Sequence, residues 1–443
     1  MKVVRWSFIV LMLSALVGGV VFALIEAHKR ARLREVLSAL RQAEAGQTFL
    51  PDSEGEAEAR LRAAASARAA FALAMTEWRA APRRTEEVMY AALDMEFGEP
   101  VRDSTKALLT TFWNDNPELR QSLQAATEHV PAFCMSDLDS AATGSRSVLT
   151  FVIGDLLESL MIKVESDATP DEAAETIQRL LTFGNGFVSL AHPEAPCLGR
   201  YVSYQSAKAS LESLLGRHSL NPQSCRALQS AFRQTRNAGL PRAFLRSYAN
   251  YLVRTDGACP YWQNQSTTLR DMLRRVSRSS HTFDFAREGA ELHEALQMDA
   301  KRLRVRQQSI LRGCTTGVHD NMVRSALTTA AMAEAALSVS EVALALERYR
   351  LRNDRWPATL EELVPIYIPD IPTDPYDDEL LRYERGTFGV AIYSGFVPDQ
   401  RPVVLPPFSS PAMSVYEPWA FRLLEPSQRG TTEPKARVRQ GEQ

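Results

Sequence analysis

A run of twenty residues without a charged side chain occupies positions 6–25, close to the start of the chain (WSFIVLMLSALVGGVVFALI). Its length matches the hydrocarbon core of a bilayer, which a helix crosses in about 20 residues. Lys2 and Arg5 precede the run, and a basic cluster at residues 28–34 follows it. The pattern predicts a single transmembrane anchor over residues 1–28, with the remaining chain folded outside the bilayer.

A cleaved signal peptide is the main alternative to a retained anchor. Val21 and Ala23 have the small-residue character of a cleavage site, and Gly18 and Gly19 lie just upstream. The unbroken apolar length favours retention. The excess of basic residues after the run favours a cytoplasmic body by the positive-inside rule, although long domains translocate largely regardless of flanking charge. Both orientations therefore remain open from the residues alone.

The composition argues against a nucleic-acid partner. The 443 residues carry a formal net charge of only -2, so no overall field attracts a polyanion. Two basic clusters occur, at Arg270, Arg274, Arg275 and Arg278 and at Lys301, Arg302, Arg304 and Arg306. Neither cluster has interleaved aromatic residues for base stacking, so both are interpreted as solvated helix faces.

Residues 29–321 predict a mainly α-helical body. Segments such as NPQSCRALQSAFRQTR place apolar residues three and four positions apart, which is typical of amphipathic helices. Thr169 and Pro170 are suited to the N-cap and the first position of one of these helices. Because no repeat period is visible, we expect an irregular multi-helix bundle, with stacked helical hairpins as the alternative.

The segment 322–400 predicts a small α+β module that begins with a long central helix. Alanine-rich apolar positions from Met322 to Leu351 favour close packing by neighbouring helices. Asn353 and Asp354 predict the end of that helix. Thr359 and Glu362 have capping-box spacing for a short helix, LEELV.

A β-hairpin and an extended tail are expected to follow. ELLRYER and FGVAIYS read as two strands, with a tight turn at Gly386 and Thr387. The remaining residues, 401–443, predict a proline-rich extended wrap, with Trp419 and Phe421 as its anchors, and a disordered polar tail.

The residues from 345 to 394 (ALERYRLRNDRWPATLEELVPIYIPDIPTDPYDDELLRYERGTFGVAIYS) resemble the C-terminal segment of many uncharacterised, membrane-anchored bacterial helical proteins. That segment is in turn similar to the C-terminal region of the major pseudopilin of type II secretion systems. The resemblance implies a single-pass protein of the bacterial inner membrane with a periplasmic body, and it implies no established activity. FALIE ends the apolar run rather than starting it, and no glycine directly precedes Phe22, which disfavours a filament subunit.

Calcium is the one metal that the resemblance suggests, because pseudopilins hold this ion in a C-terminal acidic loop. Asp374, Asp377 and Asp378 offer the carboxylate oxygens that a hard cation prefers. SGFVPDQRP replaces the ending rich in glycine and aspartate seen in that group, so several ligands are missing. Turn formation is the competing interpretation of these aspartates. No other cofactor is expected.

Two functional hypotheses from different classes follow. The first is a noncatalytic envelope protein that binds an unidentified envelope protein partner or acts as a scaffold. The second is a membrane-anchored extracytoplasmic enzyme, hydrolase-like, whose site is dispersed along the sequence. Five widely spaced cysteines form no CxxC pair, so they are interpreted either as disulfide partners or as buried free thiols. A secretion-pilus component is the least favoured interpretation.

The anchor predicts that the full-length chain stays with the membrane pellet during alkaline carbonate washing, because a spanning apolar helix resists extraction. A variant lacking residues 6–25 should appear in the soluble fraction. Mass spectrometry of the mature N-terminus separates a retained anchor from a cleaved signal peptide. Recovery of the intact chain as freely soluble cytosolic protein would contradict the prediction.

Overall fold

The computed structural model describes residues 27–42, 69, 73, 100–129, 157–186, 195–254, 285–312, 322–395 and 420–430, apart from residues 29–30, 158, 167–168 and 387 within these ranges. The predicted anchor at residues 6–25 lies outside the described residues. The same holds for most of the predicted wrap and for residues 431–443 of the predicted disordered tail at 427–443. The first four residues of that tail are ordered instead: Pro426–Gln428 forms a 3-10 helix, and Arg429 is buried.

The described part is mostly helical, as the sequence predicts. In chain order its helices are α1 (Asp103–Asp115), α2 (Pro117–His129), α3 (Pro170–Gly186), α4 (Ala195–Arg217), α5 (Pro222–Asn237), α6 (Leu240–Arg254), α7 (Phe285–Gln297), α8 (Ala300–Arg312) and α9 (Met322–Asn353). Residues 31–42 and 159–166 are also helical. Prolines stand at the first position of α2, α3 and α5, where the missing N–H costs no helical hydrogen bond.

Side-chain capping explains where two of these helices begin. The Asn221 side chain accepts hydrogen bonds from the backbone N–H groups of Gln223 and Ser224, both at 2.8 Å, directly before α5. At α3 the backbone N–H of Thr169 donates to the Glu172 carboxylate at 3.5 Å, which is one half of a capping box. The predicted start of α3 at Pro170 is confirmed.

Helix α9 is the centre of the fold. It is long and apolar enough to cross a membrane, and 83% of its most apolar window is buried inside the protein. It contacts α4, α5, α6, α7, α8 and the sheet, so its alanine-rich surface is covered on several sides. Glu288 of α7 accepts the backbone N–H of Met322 at 3.1 Å, which places a carboxylate at the positive end of the α9 dipole. The predicted central packing helix is thus confirmed.

The segment after α9 differs from the sequence prediction in one local feature. Asp354 has a positive φ of 54°, which confirms the predicted helix end. The predicted short helix is present as a 3-10 helix over Leu360–Leu363, and Thr359 stands at its N-cap position but makes no side-chain cap. Pro365 lacks an N–H and restricts the residue before it, so the chain has too few residues to complete an α-helical turn.

A small antiparallel sheet, in the order β1-β2-β3, closes the module. Its strands are β1 (Arg382–Gly386), β2 (Gly389–Tyr393) and β3 (Ala420–Leu424). The predicted hairpin is confirmed, since Gly386 pairs with Gly389 beside the turn. At Gly389, with φ +146°, an added Cβ would lie 1.9 Å from the Leu423 carbonyl oxygen, so β3 requires glycine at this position.

The third strand corrects the prediction of an extended wrap for residues 401–443. All five residues of β3 are buried, and Phe421 is fully enclosed by the main hydrophobic cluster. A strand covered on both faces loses the alternation of apolar and polar residues that identifies half-buried strands. The prediction of Phe421 as an anchor agrees with its burial, whereas Trp419 lies outside the described residues.

Close packing around α9 predicts that Ala345→Leu destabilises the protein. Ala345 is fully buried, and added methylene groups in a close-packed core cost about 1–3 kcal/mol. Thermal or denaturant unfolding of the full chain in mild detergent measures the change. Ala227→Leu, on the exposed side of α5, is the matched control and should change stability by less than about 0.5 kcal/mol. Equal stability of both variants would contradict the packing of α9 described here.

Candidate functional site

A buried carboxylate on α9 is held between two arginines. Glu347 accepts hydrogen bonds from Arg429 at Oε1 and Oε2, both at 2.8 Å. Arg350, one helical turn further along α9, donates to the same two oxygens at 2.7 and 3.1 Å. Glu347 is fully buried and both arginines are nearly so. We call these three residues the Glu347 clamp.

Further contacts join the clamp to three parts of the fold. Arg429 donates to the Leu424 carbonyl at the end of β3 and to the His218 carbonyl after α4, each at 3.0 Å. Arg429 and Arg350 both donate to the Ser219 hydroxyl, at 3.0 and 3.1 Å. The clamp therefore fixes the end of the sheet and the α4–α5 connection against α9.

The clamp carboxylate is ionised at neutral pH. Burial alone raises the pKa of Glu347, but the hydrogen bonds and charges of Arg429 and Arg350 outweigh burial and hold its pKa below the usual value. A general acid or base needs a pKa near the working pH. Glu347 is therefore suited to holding segments together and not to proton transfer.

Two further ion groups lie on α4. Glu212 pairs with Lys208 at 2.8 Å and with Arg422 of β3 at 2.7 Å, and Lys208 is completely buried beneath the Phe421 ring. Near the end of the same helix, Arg217 donates to the buried Glu165 through two nitrogens.

Both α4-associated glutamates stay charged despite their burial. Burial raises the pKa of Glu212, while Arg422 and Lys208 lower it further than burial raises it. Burial likewise raises the pKa of Glu165, and Arg217 with a smaller effect of His218 brings it below the usual value. Like the clamp, these groups stabilise packing contacts between distant segments.

The candidate calcium residues have protein partners. Asp374 is fully buried and accepts from the Ser394 hydroxyl at 2.6 Å, the Tyr376 N–H at 3.0 Å and Arg382 at 2.7 Å, and also from the Gly395 N–H. The bond from Tyr376 is the side-chain-to-backbone contact of a turn-forming aspartate.

Arginines supply the positive charge beside all three candidate aspartates. Asp377 pairs with Arg382, which also binds Asp374, so one guanidinium bridges two of the carboxylates. Asp378 instead faces Arg304 of α8 at 3.1 Å. Within the described ranges, no group of three or more His, Cys, Asp or Glu side chains is arranged to hold a metal ion.

Cys225 is the cysteine whose side chain the structure describes, and it is a free, buried thiol. Burial, with a smaller effect of the negative charge of Glu347, raises its pKa to about 12. Since the thiolate is the nucleophile and the metal ligand, Cys225 is chemically inert at neutral pH. Its environment fits the interpretation of a cysteine as a small apolar core residue.

Sequence analysis missed the clamp, although one signal was present. Glu347 and Arg350 stand three residues apart in an alanine-rich, mostly apolar helix, and buried charges occur where partners exist. The partner Arg429 lies 82 residues further along the chain, which local spacing cannot reveal. Comparison with protein-family models, curated proteins and solved structures found no match to this chain.

The clamp predicts that Glu347→Gln is strongly destabilising. The substitution leaves two buried guanidinium groups without their carboxylate, and breaking a buried ion pair in this way costs about 3–5 kcal/mol. Denaturant unfolding of the full chain in mild detergent measures the loss. A value below about 1 kcal/mol would show that the clamp does not fix the fold.

Glu294→Gln is the control, because Glu294 is largely exposed and its distance to Arg306 is 3.8 Å. We expect a change below about 0.5 kcal/mol there. Acid titration gives a second readout on the same variants. The pKa of Glu347 is depressed in the folded state, so its contribution is present above the ordinary glutamate pKa of about 4.3 and is lost as pH falls through the folded value. Stability of Glu347→Gln should therefore fall less steeply with acid than that of the unmodified chain.

Proposed function

We propose that this protein is a noncatalytic, single-pass protein of the bacterial inner membrane that binds a periplasmic protein partner through its C-terminal module. The uncharged run at residues 6–25 supports anchoring. The resemblance of residues 345–394 to the C-terminal region of the type II secretion major pseudopilin supports an envelope location. The distribution of exposed apolar side chains supports the interaction role.

The observation that carries the proposal is the concentration of exposed large apolar side chains in one segment. Leu351, Ile366, Leu380 and Phe388 all lie within residues 351–388, and Ile366 is 65% exposed. Elsewhere in the described ranges, Leu73 and Val305 are the large apolar residues with comparable exposure. Exposed apolar side chains on a rigid support are what a protein interface uses as anchors.

Rigidity of that support comes from contacts on both sides of the segment. Tyr383 donates its hydroxyl to the Pro357 carbonyl at 2.9 Å, which ties β1 to the turn after α9. Glu362 accepts from the Tyr349 hydroxyl of α9, from Arg355 at 3.0 Å and from the Ala358 N–H. A preorganised surface of this kind loses little conformational entropy when a partner binds.

Pairing of three buried carboxylates supports the noncatalytic part of the proposal, whereas burial raises the pKa of a fourth, Glu334, despite its ion pair with Arg304. Glu165, Glu212 and Glu347 are each bound to basic side chains, and their lowered pKa values keep them ionised. Buried ionisable groups at catalytic sites are typically shifted toward the working pH instead. These three carboxylates thus stabilise the fold that supports the exposed segment.

Site-specific photocrosslinking in intact cells tests the interaction role. A photoreactive residue in place of Ile366 or Phe388 should give a discrete cross-linked band, because these side chains point away from the core and would enter a partner interface. The same residue in place of Arg302, which is exposed on α8, is the matched control and should give no such band. Identical labelling at all three positions, or none at any, would contradict the proposal.

The intensity of the cross-linked band should also depend on apolar contact between Ile366 and the partner. Ile366→Asp in the chain that carries the photoreactive group at position 388 is expected to weaken the band without lowering the unfolding temperature. A loss of the band together with unfolding would assign the effect to the fold, and unchanged labelling of a folded variant would exclude Ile366 from the interface.

A further inference from the structure

We propose that α5 and α9 form a binding site for a phosphate-type oxyanion, built from Arg226, Arg233 and Arg348 around Gln229. The site adjoins the exposed apolar segment at the Tyr367 carbonyl, and it does not depend on the proposed partner. Its ligand chemistry is a phosphate group, carried either by a soluble compound or by an anionic phospholipid headgroup.

Helical spacing places two of the arginines on one face of α5. Gln229 lies three residues after Arg226 and four residues before Arg233, and such spacings bring side chains next to one another. Gln229 itself is buried, so this face of α5 is turned toward its packing partner. Arg226 is exposed and Arg233 is half-buried, so their guanidinium groups remain within reach of solvent.

The third arginine comes from α9 and meets the same glutamine. Arg348 Nη1 donates to Gln229 Oε1 at 2.5 Å and to the Tyr367 carbonyl at 3.3 Å. Gln229 Nε2 donates to that carbonyl at 2.8 Å, which fixes the amide orientation. The Arg348 guanidinium also lies 5.5 Å from the centre of the Tyr367 ring. Arg348 is thus held in a defined position beside Gln229 and Tyr367.

Positive charge exceeds negative charge at this place. Glu341 of α9 pairs with Arg233 at 2.6 Å and with Arg236 at 3.0 Å. Arg226 donates through Nε to the Pro222 carbonyl at 3.2 Å, and its two terminal nitrogens have no partner within the described residues. Asp171 of α3 and Glu347 of α9 contribute two further carboxylates, since the charges of both act on Cys225, the residue before Arg226. Glu347 is already paired with Arg350 and Arg429, so four arginines face Glu341 and Asp171, which leaves a net positive charge.

Mutual repulsion of the arginines acts on the charged form of Arg348. Burial lowers the pKa of Arg348, and the charges of Arg226 and Arg233 lower it further. A bound anion would relieve that repulsion while the fold already holds the groups together. Planar guanidinium groups match the geometry of phosphate oxygens and donate two parallel hydrogen bonds, which favours a phosphate over a halide.

Isothermal titration of the full chain in a neutral detergent tests the site with two probes. The first probe is pyrophosphate, and the second is a short-chain phosphatidylglycerol. We expect saturable binding of at least one probe, and Arg226→Glu should weaken it at least about tenfold, because it replaces a charge-assisted donor with a repelling carboxylate. Binding of pyrophosphate alone identifies a soluble ligand, whereas phosphatidylglycerol binding that pyrophosphate displaces identifies a lipid headgroup.

Arg302→Glu is the matched control, because it makes the same change of charge at a side chain that is 80% exposed on α8. It should leave the affinity within about twofold, and thermal unfolding should show both variants folded, since Arg226 is itself exposed. Arg226→Lys keeps the charge and loses the paired donors, so an intermediate affinity is expected. Absence of binding by the unmodified chain, or equal weakening by Arg226→Glu and Arg302→Glu, would overturn the proposal.

Discussion

The fold depends on a carboxylate that it buries completely. Glu347 lies in the last two turns of the most apolar helix of the described structure, and it is acceptable there only because Arg350 and Arg429 both reach it. Burying an isolated carboxylate costs many kcal/mol, whereas a paired and fully hydrogen-bonded one is close to neutral. Apolar residues of similar volume could supply equal stability. We infer that the clamp selects one fold over alternative packings, because it stabilises only the arrangement in which residues 424–429 lie beside α9.

Pairing of buried charges also explains how α4 can be buried on every side over residues 203–217. Its serines and alanines are small and let neighbouring helices approach, and its long charged side chains have partners from elsewhere in the chain. Glu212 receives Arg422 of β3, so the sheet is attached to α4 by charge as well as by Phe421. The helical body and the C-terminal module therefore share one hydrophobic cluster, with ion groups that define how they meet.

Patterns of neighbouring residues correctly predicted the features that depend on neighbouring residues. The alanine-rich stripe identified α9, and Asn353 with Asp354 identified its end, because packing surface and left-handed backbone are properties of neighbouring residues. The capping-box prediction at Thr359 was wrong because Thr359 makes no side-chain cap and the Glu362 carboxylate accepts from Tyr349, Arg355 and the Ala358 N–H. β3 and the clamp were missed because their signals are pairings between residues distant along the chain. The ion pairs of Arg382 with Asp374 and Asp377 were missed as well, because the spacing of the aspartates in DPYDD does not indicate which basic residue they bind.

Residues that follow the predicted anchor belong to the core. Leu37 and Leu40 are buried in the main cluster, and Val36 packs so closely on α7 that a Cβ on Gly289 would lie 2.7 Å from it. Only residues 26–30 separate the apolar run from the helix at residues 31–42, which carries Leu37 and Leu40. Five residues span at most about 17 Å. A body anchored by residues 6–25 would thus lie directly at the membrane surface. Such a body presents fixed surfaces to lipid and to neighbouring proteins, which is the setting that the proposed partner interface requires and in which the arginine site could reach a lipid headgroup.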